Sequence, residues 1–236
     1  MSGHAIKDVA FGKLHAHLVR PNAKTRAGVL VIPSRDGLGG SLNTVLTGLA
    51  DAGLAALAWD PYAAYGTVTA QDKVRISQTV QQDSAVGLEH VQCLDYMAQE
   101  LRLQRVGVIG FCMGGRLALI LAADDTRVRA VSAYFPSIRM PVPANARDAV
   151  GLAPKIACPV EAHYPGSDFV TTRESFNRLR AALEARPVVA VTSTFFHPGA
   201  RHGFFLEPHE TDHPDAIACK IAWPATIAFF RAALLE

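Results

Sequence analysis

The chain has 236 residues, of which half are hydrophobic, and a formal net charge of +2. This length favours one α/β domain over residues 1–236, and the apolar content excludes a disordered chain. So small a net charge, without any run of like charges, argues against nucleic-acid binding.

The four cysteines are scattered and form no CxxC pair, so we expect neither a metal site nor a disulfide framework. The N-terminal region lacks the apolar segment of a signal peptide, and no apolar run approaches the ~18 residues of a membrane span. We therefore expect a cytoplasmic protein that does not associate with membranes.

Strand-like and helix-like segments alternate along the chain. We expect an edge strand over 11–19, buried strands over 28–33 and 106–109, and further strands over 54–59, 128–135, 160–164 and 188–196. Helices are expected over 41–53, over about 70–103 in two pieces, over 113–123 and 173–185, and from 214 onward. Pro224 is expected to kink or split the last helix. A proline-rich loop is expected at about 136–159.

This alternation predicts a mostly parallel sheet with helices on both faces. In such sheets, ligands bind beyond the carboxyl ends of the strands. The functional residues should therefore come directly after the strands.

Gly110-Phe-Cys-Met-Gly114 follows the strand predicted at 106–109 and precedes a helix. This Gly-x-Cys-x-Gly pattern is that of a nucleophile elbow with sulfur in place of the usual serine oxygen. The Met113 N–H opens the helix and is a candidate oxyanion donor. The alternative is a buried cysteine in a glycine-rich turn. Cys112 is therefore the candidate nucleophile.

Asp168 and His202 follow the strands predicted at 160–164 and 188–196, in the order nucleophile, acid, histidine that α/β-hydrolases use. The histidine would transfer protons, and the acid would fix its tautomer. His202 is favoured because Gly203 follows it in a loop expected to lie clear of the strand. The alternatives for the histidine are His197, His209 and His213. His163 lies within a strand and is expected to be a core histidine.

The chain resembles the dienelactone hydrolase family of α/β-hydrolases. The resemblance rests on Gly110-Phe-Cys-Met-Gly-Gly115, Gly166-Ser-Asp168, His202-Gly203-Phe204 and Asp60-Pro-Tyr62. It implies an α/β-hydrolase fold, a Cys-His-Asp triad and no cofactor or metal. It also implies esters or lactones of small, often carboxylated molecules as substrates.

One departure concerns the loop after the first parallel strand, where the family commonly has a glutamate that contacts the thiol. Here Arg35 takes that place, with Asp36 beside it. Arg35 would favour a thiolate or bind a substrate carboxylate, and the Asp36 N–H is the expected second oxyanion donor. Further candidates for substrate contact are Arg75, Arg201 and Tyr62.

The predicted function is hydrolysis of an ester or lactone through a thioester on Cys112, in a monomer or homodimer. One alternative is a thioesterase or acyltransferase that uses the same three residues. The other is a ligand-binding protein without catalytic activity on a hydrolase scaffold.

Overall fold

The structure, a computed structural model, describes residues 3–206 and 210–235. Its strands form one sheet in the order β1-β2-β4-β3-β5-β6-β7-β8. β1 and β2 pair in antiparallel fashion, β2 pairs antiparallel with β4, and all other pairs are parallel. The strands are β1 (Lys7–Phe11), β2 (Leu14–Val19), β3 (Ala27–Ile32), β4 (Ala55–Trp59), β5 (Arg105–Phe111), β6 (Val128–Tyr134), β7 (Val160–Ser167) and β8 (Thr192–Arg201).

Two hydrophobic clusters cover the two faces of this sheet. Helices α3, α4 and α6 pack on one face, and α1 and α7 pack on the other. The predicted mostly parallel sheet with helices on both faces is confirmed. The α-helices are α1 (Gly40–Asp51), α2 (Ala70–Arg75), α3 (Asp83–Gln99), α4 (Met113–Asp124), α5 (Ala149–Leu152), α6 (Arg173–Glu184) and α7 (Pro214–Leu234).

The element boundaries differ from the prediction in three places. The edge strand expected over 11–19 is a hairpin of β1 and β2, because a turn with Gly12 at φ +58° separates two alternating segments. The segment 70–103 contains α2, a π-helical turn over Ile76–Val80 and α3. β8 begins and ends later than expected, so His202 follows the strand directly instead of lying in a loop clear of it.

α7 continues through Pro224, so the predicted split is wrong. The proline lies on the exposed side of the helix, while Ala222, Thr226 and Phe230 are buried against the sheet. By length and composition alone α7 is apolar enough to cross a membrane, which the search for apolar runs did not predict. A helix packed on a core meets the same criterion, so this feature does not establish a membrane location.

The proline-rich segment 136–159 contains α5 and a short 3₁₀ turn. Hydrogen bonds to its neighbours fix its path. The buried Asp83 carboxylate accepts the Arg147 N–H at 2.7 Å and a bidentate ion pair from Arg116. The Asn145 carbonyl accepts the Asp83 N–H at 3.1 Å. The first half of this segment is therefore anchored beside the carboxyl end of β5.

Candidate active site

Cys112 lies between β5 and α4 with φ 54° and ψ −113°. This left-handed backbone conformation is strained for a residue with a side chain, and it places the thiol at the sheet edge. The Cys112 N–H donates to the Tyr134 carbonyl at 3.0 Å, and its own carbonyl accepts the Ser137 N–H at 3.0 Å. Neighbouring backbone thus fixes the strained turn from both sides.

Two glycines permit this turn. A Cβ on Gly110 would lie 2.1 Å from the Gly114 carbonyl oxygen, and one on Gly114 would lie 2.2 Å from the Ile32 carbonyl oxygen. Both distances are far below van der Waals contact, so no side chain fits at either position. The Gly-x-Cys-x-Gly pattern has a direct steric cause in the structure.

His202 and Asp168 form a hydrogen-bonded pair beyond the ends of β8 and β7. The His202 Nδ1 lies 2.9 Å and 3.0 Å from the two carboxyl oxygens of Asp168. The N–H groups of Val170 and Thr171 donate to Asp168 Oδ1 at 2.6 Å and 2.9 Å. These donors orient the buried carboxyl group, which in turn orients the imidazole ring.

The second ring nitrogen of His202, Nε2, is buried and has no hydrogen-bond partner among residues 3–206 and 210–235. Burial lowers the pKa of this imidazole, but Asp168 and the thiol of Cys112 outweigh it and raise the pKa to about 9. Cys112 and His202 also line the same cavity. The structure thus brings the three predicted residues together.

Cys112, Met113 and His202 line a cavity of about 1020 Å³. The Phe135 and Phe169 rings contact the His202 imidazole edge-on, with centroid distances of 5.1 Å and 5.6 Å. Phe135 is buried, whereas Phe169 is exposed at the cavity rim. A volume this large accommodates a small organic molecule with room to spare.

The loop between β3 and α1 forms another wall of the cavity and contains the predicted second oxyanion donor. In the structure the Asp36 N–H already donates to Ser34 Oγ at 3.2 Å, and the Gly37 N–H donates to the Ser34 carbonyl at 3.0 Å. The Arg35 N–H has no partner within the described residues. Of these three N–H groups, that of Arg35 is the one without a partner among the described residues, and it is therefore the candidate oxyanion donor of this loop in place of Asp36.

The four predicted substrate-contacting residues occupy different surroundings. Arg35 lines the cavity, and its guanidinium has no hydrogen bond or ion pair within the described residues. Arg201 also lines the cavity, but it forms an ion pair with Asp215 at 2.8 Å.

Arg75 and Tyr62 are not among the cavity-lining residues. Arg75 lies on the exposed side of α2 within 3.9 Å of Asp72. Tyr62 is buried, and its hydroxyl donates to the Arg35 carbonyl. The structure therefore does not bring these two predicted contacts to the cavity.

The sequence analysis missed three arginines that line the cavity, Arg116, Arg139 and Arg147. Arg116 and Arg147 form ion pairs with Asp83 and Asp124. Arg116 lies one helical turn after Cys112, so helix periodicity could have placed it near the thiol. Arg139 and Arg147 belong to the proline-rich segment, which has neither helical nor strand periodicity from which their positions could be predicted.

The alternative histidines lie elsewhere. His197 is buried with its Nε2 3.0 Å from Nδ1 of His163, and His163 is a core histidine as predicted. His213 is the N-cap of α7, where its Nδ1 accepts the Asp215 N–H. His209 lies outside the described residues. Of the candidates that the structure describes, His202 alone pairs with Asp168 and lines the cavity.

Comparison with solved structures identifies the fold class of the chain. The chain superposes on a "Dienelactone Hydrolase-like Promiscuous Phospotriesterase" from metagenomic libraries with a TM-score of 0.79, at 22% identity and covering 98% of both chains. A likeness at this identity establishes the fold alone. The chain has the α/β-hydrolase fold of dienelactone hydrolases.

Sequence comparison defines the family. The profile of the "Dienelactone hydrolase family" matches residues 14–234, and the chain belongs to this family. A carboxymethylenebutenolidase of Rhodococcus opacus is 30% identical over 135 residues, 54% of this chain and 50% of that protein. A Bradyrhizobium protein named "Probable 2-oxo-3-(5-oxofuran-2-ylidene)propanoate lactonase" is 25% identical over 92% of this chain and 88% of its own. The chain thus spans about half the length of the first of these relatives.

Proposed function

We propose that the protein hydrolyses an ester or lactone bond of a small molecule, with Cys112 as the nucleophile. One observation carries this proposal. The imidazole of His202 is fixed by Asp168 on one nitrogen, while its other nitrogen has no hydrogen-bond partner among the described residues, and His202 lines the same cavity as Cys112. A nucleophile with an oriented base is the arrangement that covalent hydrolysis requires. The names of the relatives, a butenolidase and a lactonase, support the substrate class.

In the acylation step, the Cys112 sulfur attacks the carbonyl carbon, either as His202 takes the thiol proton or from an ion pair already formed with the imidazolium. The electron pair of the C=O bond moves to oxygen, which becomes an oxyanion. When the tetrahedral species collapses, the C–O bond to the alcohol breaks and the leaving alkoxide takes the proton from His202. The product of this step is a thioester on Cys112.

In the deacylation step, His202 takes a proton from water as the water attacks the thioester. When this second tetrahedral species collapses, the C–S bond breaks, the acid is released, and the sulfur regains its proton from His202. The N–H of Met113 and an N–H of the loop at Arg35 and Asp36 would stabilise the oxyanion in both steps. Each such donor contributes roughly 3 kcal/mol in comparable sites.

The raised pKa of His202 keeps the imidazole protonated at neutral pH, and the imidazolium is the form that gives a proton to the leaving alkoxide. The guanidinium of Arg35 in the cavity wall, which has no partner among residues 3–206 and 210–235, would bind a carboxylate of the substrate. This arrangement needs no cofactor or metal to complete the two steps.

The test is turnover of aryl esters, lactones and acyl thioesters by the wild type, Cys112→Ala and Cys112→Ser. We expect Cys112→Ala to lose all measurable hydrolysis and Cys112→Ser to fall well below the wild type. Cys158→Ala is the matched control, because Cys158 precedes β7 at the opposite end of the strands. Ester hydrolysis that persists in Cys112→Ala would refute the proposal.

A preference for acyl thioesters over esters and lactones would instead indicate a thioesterase that uses the same residues. Tight binding of lactones by a wild type that never turns them over would indicate a binding protein.

A further inference from the structure

The loop that forms the cavity wall beside Cys112 rests on the loop after the neighbouring strand. β3 and β4 are adjacent and parallel, so the segments that follow them meet at the same edge of the sheet. Tyr62, in the segment after β4, donates its hydroxyl to the Arg35 carbonyl. Lys73 of α2 donates its ammonium to the Asp36 carbonyl at 2.6 Å. Two successive peptide groups of the cavity wall are thus bound from outside the cavity.

Tyr62 is well suited to support this loop. Its side chain is buried, and a Cβ on Gly37 would lie only 3.0 Å from its ring, so the loop packs directly on the aromatic face. Gly37 has φ +73°, which is a second reason why glycine is required there. The Tyr62 N–H donates to Asp60 Oδ1 at 2.9 Å, which fixes the tyrosine itself.

The charge state of these donors also suits the role. Burial raises the pKa of the Tyr62 hydroxyl well above its ordinary value, with Asp36 adding to the effect, so the hydroxyl keeps its proton at neutral pH. The Lys73 ammonium lies 5.5 Å from the centroid of the Tyr62 ring, a cation–π contact that joins the two donors.

These hydrogen bonds determine where the N–H groups of the loop point. In a trans peptide the C=O of one residue and the N–H of the next point in opposite directions. Binding the carbonyls of Arg35 and Asp36 from outside therefore fixes the N–H groups of Asp36 and Gly37, which donate to Ser34 at 3.2 Å and 3.0 Å. The turn held in this way carries the Arg35 N–H, which has no partner within the described residues and is the N–H of this loop left for an oxyanion. Binding from outside also prevents either carbonyl oxygen from turning into the cavity, where it would repel an oxyanion.

We propose that Tyr62 and Lys73 are positioning residues that fix the 34–37 loop for oxyanion stabilisation at the Cys112 site. This inference rests on the proposed function, since it concerns the oxyanion of that reaction. It gives Tyr62 a different role from the substrate contact that the sequence indicated. Neither side chain touches the reacting atoms, because neither lines the cavity.

The experiment compares two reactions of the same thiol. Acylation of Cys112 by an aryl ester passes through an oxyanion, whereas alkylation by iodoacetamide is a displacement at a saturated carbon and forms none. Tyr62→Phe should lower kcat for ester hydrolysis by about 10- to 100-fold, less than the loss on removing an oxyanion donor outright. KM and the alkylation rate should stay within about twofold of the wild type, because binding and thiol reactivity do not use these hydrogen bonds.

Lys73→Met should lower kcat less, by about 3- to 10-fold, because its hydrogen bond is more exposed to solvent. Lys73→Arg should recover most of the loss, since it restores a cationic donor. Tyr65→Phe and Lys24→Met are matched controls on exposed side chains outside the cavity and should behave as the wild type.

Unchanged ester hydrolysis in both Tyr62→Phe and Lys73→Met would overturn the proposal. So would an equal loss in acylation and alkylation, because that pattern indicates a general disturbance of the site. Should Tyr62→Phe not fold, Lys73→Met tests the same loop from the surface. A wild-type enzyme whose Cys112 is alkylated but never acylated by esters would overturn the proposed function, and this proposal with it.

Discussion

Two histidines next to β7 and β8 each pair with a carboxyl group, and their surroundings are opposite. His202, which lines the cavity, binds Asp168 through Nδ1 and has no hydrogen-bond partner for Nε2 among the described residues. His163 lies 2.9 Å from Glu161 through Nε2 and 3.0 Å from His197 through Nδ1, so both of its nitrogens are used. It is fully buried and stacks between two aromatic rings, those of Tyr134 and Phe195.

The buried pair belongs to a closed network. Ser132 Oγ donates to Glu161 Oε1 at 2.9 Å, Thr226 Oγ1 donates to the same oxygen at 2.5 Å, and Tyr134 OH lies 2.7 Å from Thr226 Oγ1. This network links β6, β7, β8 and α7, and no substrate reaches it. An acid–histidine pair is therefore not enough for catalysis, because one imidazole nitrogen must remain open beside a nucleophile.

The largest expected effect comes from removing the histidine of the Asp168–His202 pair, called the open pair below because one imidazole nitrogen has no partner among the described residues. The Glu161–His163 pair, whose imidazole nitrogens are both hydrogen-bonded, is called the closed pair. His202→Gln should lower kcat/KM for ester hydrolysis by about 10²- to 10⁴-fold, the usual contribution of a general base. The matched variant His163→Gln should leave the activity of the folded protein within a few-fold of the wild type. Steady-state kinetics corrected for the folded fraction measure both effects. Equal losses in the two variants would contradict the distinction between the open and the closed pair.

The loss of unfolding free energy should be larger for His163→Gln than for His202→Gln, the reverse of their effects on activity. His163→Gln leaves polar groups of the buried network without partners, and we expect it to cost about 2–4 kcal/mol of unfolding free energy. Replacing His202, at the edge of the cavity, should cost less at pH 9. Urea denaturation of both variants at that pH provides the measurement. A larger loss of unfolding free energy in His202→Gln than in His163→Gln would contradict this prediction, because it would mean that the His202–Asp168 pair contributes more to stability than the buried network.

The pH dependence of stability sharpens the same comparison. The pKa of His202 is raised to about 9, so its contribution to stability is fully present below pH 6.5 and is lost as the pH rises through 9. Burial, with help from His163, lowers the pKa of His197 to about 4, so its contribution is present above pH 6.5 and is lost as the pH falls through 4.

Denaturation of the wild type and of His202→Gln across pH 6 to 10 tests this prediction. The stability difference between them should shrink toward high pH by about 1–3 kcal/mol. For His197→Gln the difference from the wild type should instead shrink toward acid, between pH 6.5 and 4. A difference that grows above pH 7 for His202→Gln would mean that the imidazole is not stabilised in its charged form.

The sequence predicted the parts of the site that local patterns determine. Cys112 is recognisable because its turn requires glycines at fixed positions. Asp168 and His202 are recognisable because each comes at or directly after the end of a strand of the sheet. For the Glu161–His163 pair, the sequence predicted only that His163 lies within a strand in the core. Its hydrogen bonds to Glu161 and His197 depend on strand register, which periodicity does not give.

The cavity wall was harder to predict. Arg139 and Arg147 lie in the proline-rich segment, whose path is set by tertiary contacts such as the hydrogen bond from Arg147 N–H to Asp83. The hydroxyl of Tyr62 looked available for a substrate, but the packing of two loops turns it toward the Arg35 carbonyl. Such contacts join elements that are distant in the chain, and no local signal encodes them.

The central claim is that the nitrogen left open on His202 serves the sulfur of Cys112 in covalent catalysis. Rapid acid quenching during turnover of an activated aryl ester, followed by peptide mass spectrometry, tests it most directly. The account predicts that the acyl mass appears on the peptide containing Cys112 in the wild type and is absent from Cys112→Ala. An acyl group on any other residue, or turnover without any covalent adduct at saturating ester, would contradict it.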